Sequence, residues 1–321
     1  MRVLDYLTAA LLLVVFASAA QAAPGVYGEA FNELYRIDLT GPHATDIGDA
    51  GYVGAQPIAD ITGLGYGPDG RLYAASDAIK ALLTIDTTSG AATVIGAFGL
   101  VGQGDPQHND ALDFGMSFDC DGNLWLSSAT TDKLWRVDRH SGAAAFVGNL
   151  GHTITGLAAR NDVLYGAGGR GDNTLYRIDR SNGQATAIGG FGAQLSMYVN
   201  SVALGFDADG TLWAAINYNP PATDGGPFTE WSDLATIDPD TGSVSLIGPI
   251  TGPSQLQYVG MKGFVVGPLQ CGAPTGGGPP DPPVDDLPVR STWALGLLIA
   301  LLGALGAFGT SRRRHGLTRS G

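Results

Sequence analysis

SVALGFDADGTLWAAINYNP (residues 201–220), followed after an insertion by SDLATIDPDTGSVSLIG (232–248), decides the fold. Short runs that alternate apolar and polar residues are separated by Asp-Gly and Thr-Gly dipeptides, so four strands follow one another in a meander. Asp209-Gly210 and Thr241-Gly242 supply the positive φ that tight hairpins require. The longer gap between the second and third strands is an enlarged loop.

The same four-part unit recurs upstream. It reads ITGLGYGPDGRLYAAS (61–76) with ALLTIDTTSGAATVIG (81–96), then DFGMSFDCDGNLWLSS (113–128) with DKLWRVDRHSGAAAFVG (132–148). A third copy is ITGLAARNDVLYGAG (154–168) with NTLYRIDRSNGQATAIG (173–189). Self-similarity at a period of roughly 40–50 residues marks a propeller or a similar array. Each copy predicts an innermost strand near a Gly-apolar pair, a tight turn, an apolar-aromatic strand, a loop, an L-x-x-I-D strand, a second tight turn, and a strand ending Ile-Gly or Val-Gly.

The N-terminal copy, VYGEAFNELYRIDLTGPHATDIG (26–48), supplies only the last three strands, and the missing innermost one turns up as YVGMKGFVVGP (258–268). A ring closed by a strand from the far end of the chain avoids an open sheet edge. The expected fold is therefore all-β, a five-bladed β-propeller over residues 23–271. Six blades is the alternative if the 97–112 loop or the 216–232 insertion holds further strands.

Composition agrees. The chain has 321 residues, 49 of them Gly and 18 Pro, with only 15% charged. Few helix formers and many turn formers fit a β-rich chain. The formal net charge of −13, with no Lys/Arg cluster before the last ten residues, argues against nucleic acid as a partner.

The two ends give an address. Residues 1–22 carry Arg2, the apolar run Leu7–Phe16 and the small-residue ending Ala20-Gln21-Ala22, the layout of a signal peptide. A Pro/Gly-rich linker occupies 272–289. An apolar run then spans about 293–309, roughly 26 Å as a helix, with the Arg cluster 312–314 behind it. That order predicts a C-terminal transmembrane helix with its arginines in the cytoplasm, and a domain on the periplasmic side of the inner membrane or beyond.

Leu287, Pro288, Ser291, Trp293 and Leu295 stand at positions matching a segment like IPTLSxWGL. Residues 287–315 thus resemble a bacterial C-terminal protein-sorting signal of the IPTL type. Val289, Arg290 and Ala294 depart from the pattern, and a plain single-span anchor is the alternative. The resemblance implies a sorting protease of the exosortase type as partner, followed by release or attachment at the cell surface. The repeats themselves resemble those of secreted bacterial propellers with an LYxIDxxTGxxxxIG pattern, a likeness that specifies fold rather than chemistry.

Within a blade, the Asp-Gly and Thr-Gly turns fall on one face of the disk. The long connections 49–60, 97–112, 190–200, 215–232 and 249–258 fall on the other, which is the candidate binding face. Asp60, Asp113, His152, Asn200 and Tyr258 lie at or just before the innermost strands, a polar ring at the channel mouth. Asp105, His108 and Asp110 offer oxygen and nitrogen ligands in one loop. Tyr218, Phe228 and Trp231 form either an aromatic contact patch for a glycan or protein, or a satellite cluster folded onto the disk.

Cys120 and Cys271 are the only cysteines, both expected at the tight-turn face, where a disulfide would pin the closing strand. No G-x-S-x-G, H-E-x-x-H or P-loop occurs, and Asp119-Cys120-Asp121-Gly122-Asn123 lacks the Gly and Glu of a calcium loop. The expectation is a non-enzymatic binding module, exported and tethered or sorted, with no cofactor. The alternative is a calcium-dependent propeller hydrolase or lyase, lactonase-like, with its site at the channel mouth.

Overall fold

The structure, a computed structural model, describes residues 25–271 except 194, 197 and 222–228. The expected signal peptide, linker, sorting motif and transmembrane helix, and Phe228 of the aromatic patch, lie outside the described residues. Among the described residues no helix is long and apolar enough to cross a membrane.

Five four-stranded antiparallel sheets carry the fold. From the inside outward, blade 1 is Gly263–Val266, Val26–Ala30, Glu33–Asp38 and His43–Asp49. Blade 2 runs Ile61–Tyr66, Leu72–Ser76, Ala81–Ile85, Ala92–Ala97, and blade 3 Phe114–Phe118, Leu124–Ser128, Lys133–Val137, Ala144–Asn149. Blade 4 runs Ile154–Arg160, Val163–Gly168, Thr174–Ile178, Ala185–Gly190, and blade 5 Val199–Phe206, Leu212–Tyr218, Trp231–Ile237, Val244–Pro249. The closing strand pairs Val26 with Val266 and Glu29 with Gly263, so the ring is shut by the C-terminal end of the domain. Neither the 97–112 loop nor the described part of the 216–232 insertion adds a blade.

Five equivalent hydrogen bonds stitch the seams. Ala92, Ala144, Ala185 and Val244, each opening an outermost strand, donate backbone N–H to Ala50, Phe98, Leu150 and Phe191 of the preceding blade's exit. Ala44 donates to Thr251 at 2.7 Å, which carries the same bond across the closure between blades 5 and 1. The core is likewise divided by seam: five apolar clusters, each built from two neighbouring blades. Both faces of every sheet are therefore buried, which is why aromatic residues sit on either side of the alternation.

The repeated motif is mechanical. The Asp that closes each third strand accepts N–H groups of the turn that follows, in I-D-x-x-[ST]-G at Asp86 and Asp238 and in I-D-x-x-N-G at Asp179: Asp86 Oδ1 from Thr88 at 2.7 Å, Asp179 Oδ1 from Ser181 at 2.8 Å, Asp238 Oδ1 from Asp240 at 2.9 Å. The turn glycine then nests on the terminal glycine of the preceding blade. A Cβ on Gly96 would lie 2.0 Å from the Ser141 carbonyl oxygen, and one on Gly142 would lie 2.3 Å from that of Gly96. Only two glycines allow backbone to meet backbone there.

Candidate functional site: the channel mouth

The chain enters the inner strands of blades 2 and 3 through Asp60 and Asp113, both left-handed, with φ of 51° and 49°. Their carbonyls accept the N–H of Asp77 and Ala129 at the top of the next strand, so the two aspartates are held alike. Aspartate tolerates this backbone region better than most residues. Beneath them lies a buried ion pair, with Lys80 Nζ 2.7 Å from Asp77 Oδ1. The other Asp77 oxygen accepts the N–H of Leu112 at 2.9 Å and of Asp113 at 3.0 Å, which fixes the entry to blade 3.

Between the two aspartates stands Lys262, the residue immediately before the closing strand. Its ammonium is 3.6 Å from Asp60 Oδ1 and 3.9 Å from Asp113 Oδ1. Arg170, left-handed in the loop between the second and third strands of blade 4, pairs with the other Asp113 oxygen. Burial pushes the Asp60 carboxyl above the usual range, with Lys262 opposing and the Asp77 and Asp113 carboxylates adding to it. Burial works against the Lys262 ammonium, but the carboxylates of Asp60, Asp113 and Glu230 outweigh it and raise its pKa. Two carboxylates and two cations thus balance at the mouth.

Asn200 joins the same site and anchors a buried chain. It donates to Asn217 Oδ1 at 2.8 Å, Asn217 donates to Glu230 Oε2 at 3.2 Å, and Glu230 accepts Gly260 N–H at 3.1 Å. A shallow depression open to solvent is lined by Asp113, Phe114, Arg170, Asn200, Ser201, Lys262 and the neighbouring Thr62 and Thr155. The inner strands of blades 4 and 5 meet closely, since a Cβ on Gly156 would lie 2.1 Å from the Val202 carbonyl oxygen.

Of the expected ring, Asp60, Asp113 and Asn200 converge at the mouth and two members do not. His152 Nδ1 is 2.9 Å from the Tyr176 hydroxyl and 3.3 Å from Asp172, a cluster within blade 4. Burial and the adjacent Asp172 push that tyrosine up to about 12. Tyr258 follows a 3-10 turn, Ser254–Gln257, and is 52% exposed on the rim. The closing strand begins only at Gly263, so Lys262 takes the position expected of Tyr258. Lys262 and Arg170 are the residues that sequence reasoning missed.

The remaining candidates sort themselves by geometry. The Asp110 carboxylate accepts Gly102 and Gly104 N–H, and Asp105 accepts Gln107 N–H and faces His108, so these groups brace their own loop. No group of three His, Cys, Asp or Glu residues is gathered as metal ligands among the described residues. Tyr218 is 1% exposed and stacks on Trp231 with centroids 5.0 Å apart. Contrary to the contact-patch expectation, Tyr218 lies under the surface, because it completes a strand buried between blades.

Cys120 and Cys271 are joined, with Cα atoms 5.4 Å apart. Leu269, just before Cys271, packs against the cluster between blades 1 and 2 and that between blades 2 and 3. The chain therefore crosses under the channel, on the tight-turn face, to reach blade 3. Asp119 beside Cys120 accepts Trp125 Nε1–H at 2.8 Å and pairs with Arg180 at 2.8 Å, so this calcium-like segment is a braced hairpin.

Exposed large apolar residues are placed unevenly. Phe31, Tyr52, Val53, Val101, Tyr198 and Tyr258 all lie in loops of the mouth face, and Val94, Phe146 and Ile247 lie on outermost strands. Among the described residues the tight-turn face has none. Tyr52 and Val53 belong to an extra hairpin, Tyr52–Val53 with Gln56–Pro57, between blades 1 and 2.

No protein-family model matches the chain, and no curated protein matches it. Among solved structures, a chain of a nidogen/laminin complex is similar at 12% identity and a TM-score of 0.47, covering 78% of this chain and 100% of that one. Virginiamycin B lyase from Staphylococcus aureus is similar at 15% identity and a TM-score of 0.38, covering 70% of this chain and 84% of that one. A streptogramin B lyase gives 13% and 0.38, with 71% and 84% covered. The five blades are read from strand pairing and stand without these likenesses.

Proposed function

We propose that this β-propeller is an exported, non-enzymatic binding module whose mouth face carries the ligand. The observation that supports it best is the charge balance at the mouth. Asp60 and Asp113, the carboxylates a catalytic cation would need, already have Lys262 and Arg170 as counter-ions from the same chain. A divalent ion would have to displace a covalently tethered ammonium. The concentration of exposed apolar side chains on that face points the same way, since such patches mark interaction sites.

Delivery rests on the two ends of the chain. The signal-peptide layout of 1–22 supports export, and the IPTL-like segment 287–315 supports handling by an exosortase-type protease at the inner membrane before cell-surface or extracellular placement. The described chain ends at Cys271, which is bonded to Cys120 on the tight-turn face.

The second reading, a calcium-dependent hydrolase or lyase, draws on the convergence of Asp60 and Asp113 beside the axis. Thermal melting with added calcium and with chelator separates the two. The binding reading predicts the same midpoint in both, whereas a rise of several degrees in calcium, lost in Asp60→Asn, would establish the enzyme-like cation site.

A further inference from the structure

Resting on the reading of the mouth face as the binding face, we infer that its contact point is the blade 1–2 corner, Phe31 with the hairpin 52–57, and that the partner is a protein segment carrying Lys or Arg beside apolar side chains. Phe31 takes the first position of the two-residue turn between Val26–Ala30 and Glu33–Asp38. Of the two turn residues it alone has positive φ, 63°, and that position of such a turn belongs to glycine. A bulky residue is an outlier there and raises the energy of the fold. Its side chain adds nothing to the core, being 51% exposed and outside all five apolar clusters. An aromatic residue held outward at such a cost is placed for contact.

The hairpin rises from the same base. The Phe31 carbonyl accepts the Ile61 N–H at 3.0 Å, that of Asn32 the Ala50 N–H at 2.9 Å, and that of Gly51 the Ile58 N–H at 2.9 Å. Ala50, Ile58 and Ile61 are buried in the cluster between blades 1 and 2. Gln56 Nε2 donates to the Ala78 carbonyl at 3.2 Å and ties the hairpin to blade 2. Two residue pairs cannot bury a face of their own, and Tyr52 and Val53 are accordingly 69% and 47% exposed. Three large apolar side chains thus stand out from a base already fixed by the fold, which lowers the ordering cost of binding.

Charge selects the partner. Glu33 stands opposite Asp49 across the ladder, and Asp46 stands opposite Tyr35 on the same pair of strands. Like charges directly opposite one another are destabilising. Burial first, then Asp46 and Asp49, push the Glu33 carboxyl above its usual range. No Lys, Arg or His pairs with any of the three among the described residues. At the mouth, by contrast, Asp60 and Asp113 have tethered cations. The corner therefore lacks the positive charge that a partner's Lys or Arg supplies, while apolar side chains of that partner fit against Phe31 and Tyr52. The net charge of −13 sets a second copy of the chain, or an anionic lipid surface, against this face.

Fluorescence anisotropy with the full-length chain and short labelled peptides tests this, one peptide of Leu and Lys, one of Ser and Lys, and one of Leu and Glu. The Leu/Lys peptide should bind about tenfold or more tightly than either of the others. Phe31→Gly and Tyr52→Ala should each weaken it about tenfold. The pair Asp46→Asn, Asp49→Asn should weaken it and flatten its salt dependence, whereas Phe146→Ala on the outermost strand of blade 3 should not. Phe31→Gly should leave the melting temperature unchanged or raised, because glycine suits the turn; a clear fall would overturn the assignment of Phe31 as a contact residue. No binding of the Leu/Lys peptide, or equal binding of either other peptide, would overturn the proposal. Binding lost in Tyr258→Ala but untouched by the corner variants would overturn the corner and keep the mouth face, and binding lost only in Phe146→Ala would overturn both. A dimer in sedimentation velocity without peptide, lost in Phe31→Gly, would overturn the basic partner in favour of a second copy.

Discussion

The double substitution Cys120→Ser, Cys271→Ser removes the one covalent link between the closing end of the chain and blade 3. The bond joins residues 151 apart in sequence, and restricting a loop of that length contributes about 5 kcal/mol in the chain-entropy model. On the native side little should change. The closing strand keeps its four pairs with Val26–Glu29, and Leu269 keeps its place between two apolar clusters. The loss therefore falls mainly on the unfolded state, which regains its freedom. Urea unfolding followed by tryptophan fluorescence measures it. With a slope near 3 kcal/mol/M, the upper end of the ordinary range, the midpoint should drop by roughly 1.5–2 M. Near-UV circular dichroism without urea should be unaltered. A midpoint shift below about 0.3 M would refute the reasoning, because the link would then contribute nothing that the closing strand does not already supply.

Other consequences follow from single buried groups. Glu29 is fully buried without a partner, and burial first and the nearby Glu33 second raise its pKa well above the usual carboxylate range. The folded state thus holds a proton that the unfolded state releases, so stability is greatest below about pH 4.3 and falls as pH rises from there toward the folded-state pKa. Glu29→Gln should raise the melting temperature at pH 8 and leave it unchanged at pH 4; equal effects at both would contradict this. Lys80→Met strands the Asp77 carboxylate at a 1%-exposed site and should cost about 3–5 kcal/mol in denaturant titration. Gly96→Ala sets a methyl 2.0 Å from the Ser141 carbonyl oxygen, whereas one on Gly41 meets nothing within 4 Å. The first should lower the melting temperature by several degrees and the second should not; similar values would undo the seam argument.

Much of the fold was legible because its repeated residues have repeated jobs. The Asp of each I-D-x-x-[STN]-G turn accepts its own turn N–H groups, and the two glycines of the repeat stitch neighbouring blades, so the motif announces blades wherever it occurs. Asp60, Asp113 and Asn200 were legible for the same reason, as residues at the entries of innermost strands. Lys262 was hidden by register. The segment 258–268 reads as a continuous strand, but the chain turns through Ser254–Gln257 and extends only from Gly263. Aligning Gly263-Phe264 with Gly63-Leu64, Gly115-Met116 and Gly156-Leu157 puts Lys262 at the mouth, and that signal was present in the sequence. Arg170 had no such signal. Its side chain reaches blade 3 from blade 4, and only the stacking of blades sets where a long side chain ends. Of the two readings of Tyr218, its burial fits the cluster folded onto the disk, because it neighbours the insertion yet belongs to a strand whose two faces are both covered.

Lys262 and Arg170 set the charge balance of the mouth. Calorimetric titration with calcium, run in parallel on the wild-type chain and on Lys262→Met, Arg170→Met, tests it most directly. No binding heat is expected for the wild type, and measurable binding is expected once both tethered cations are gone, because Asp60 and Asp113 then lack counter-ions. Calcium binding by the wild type that the double substitution leaves unimproved would contradict it.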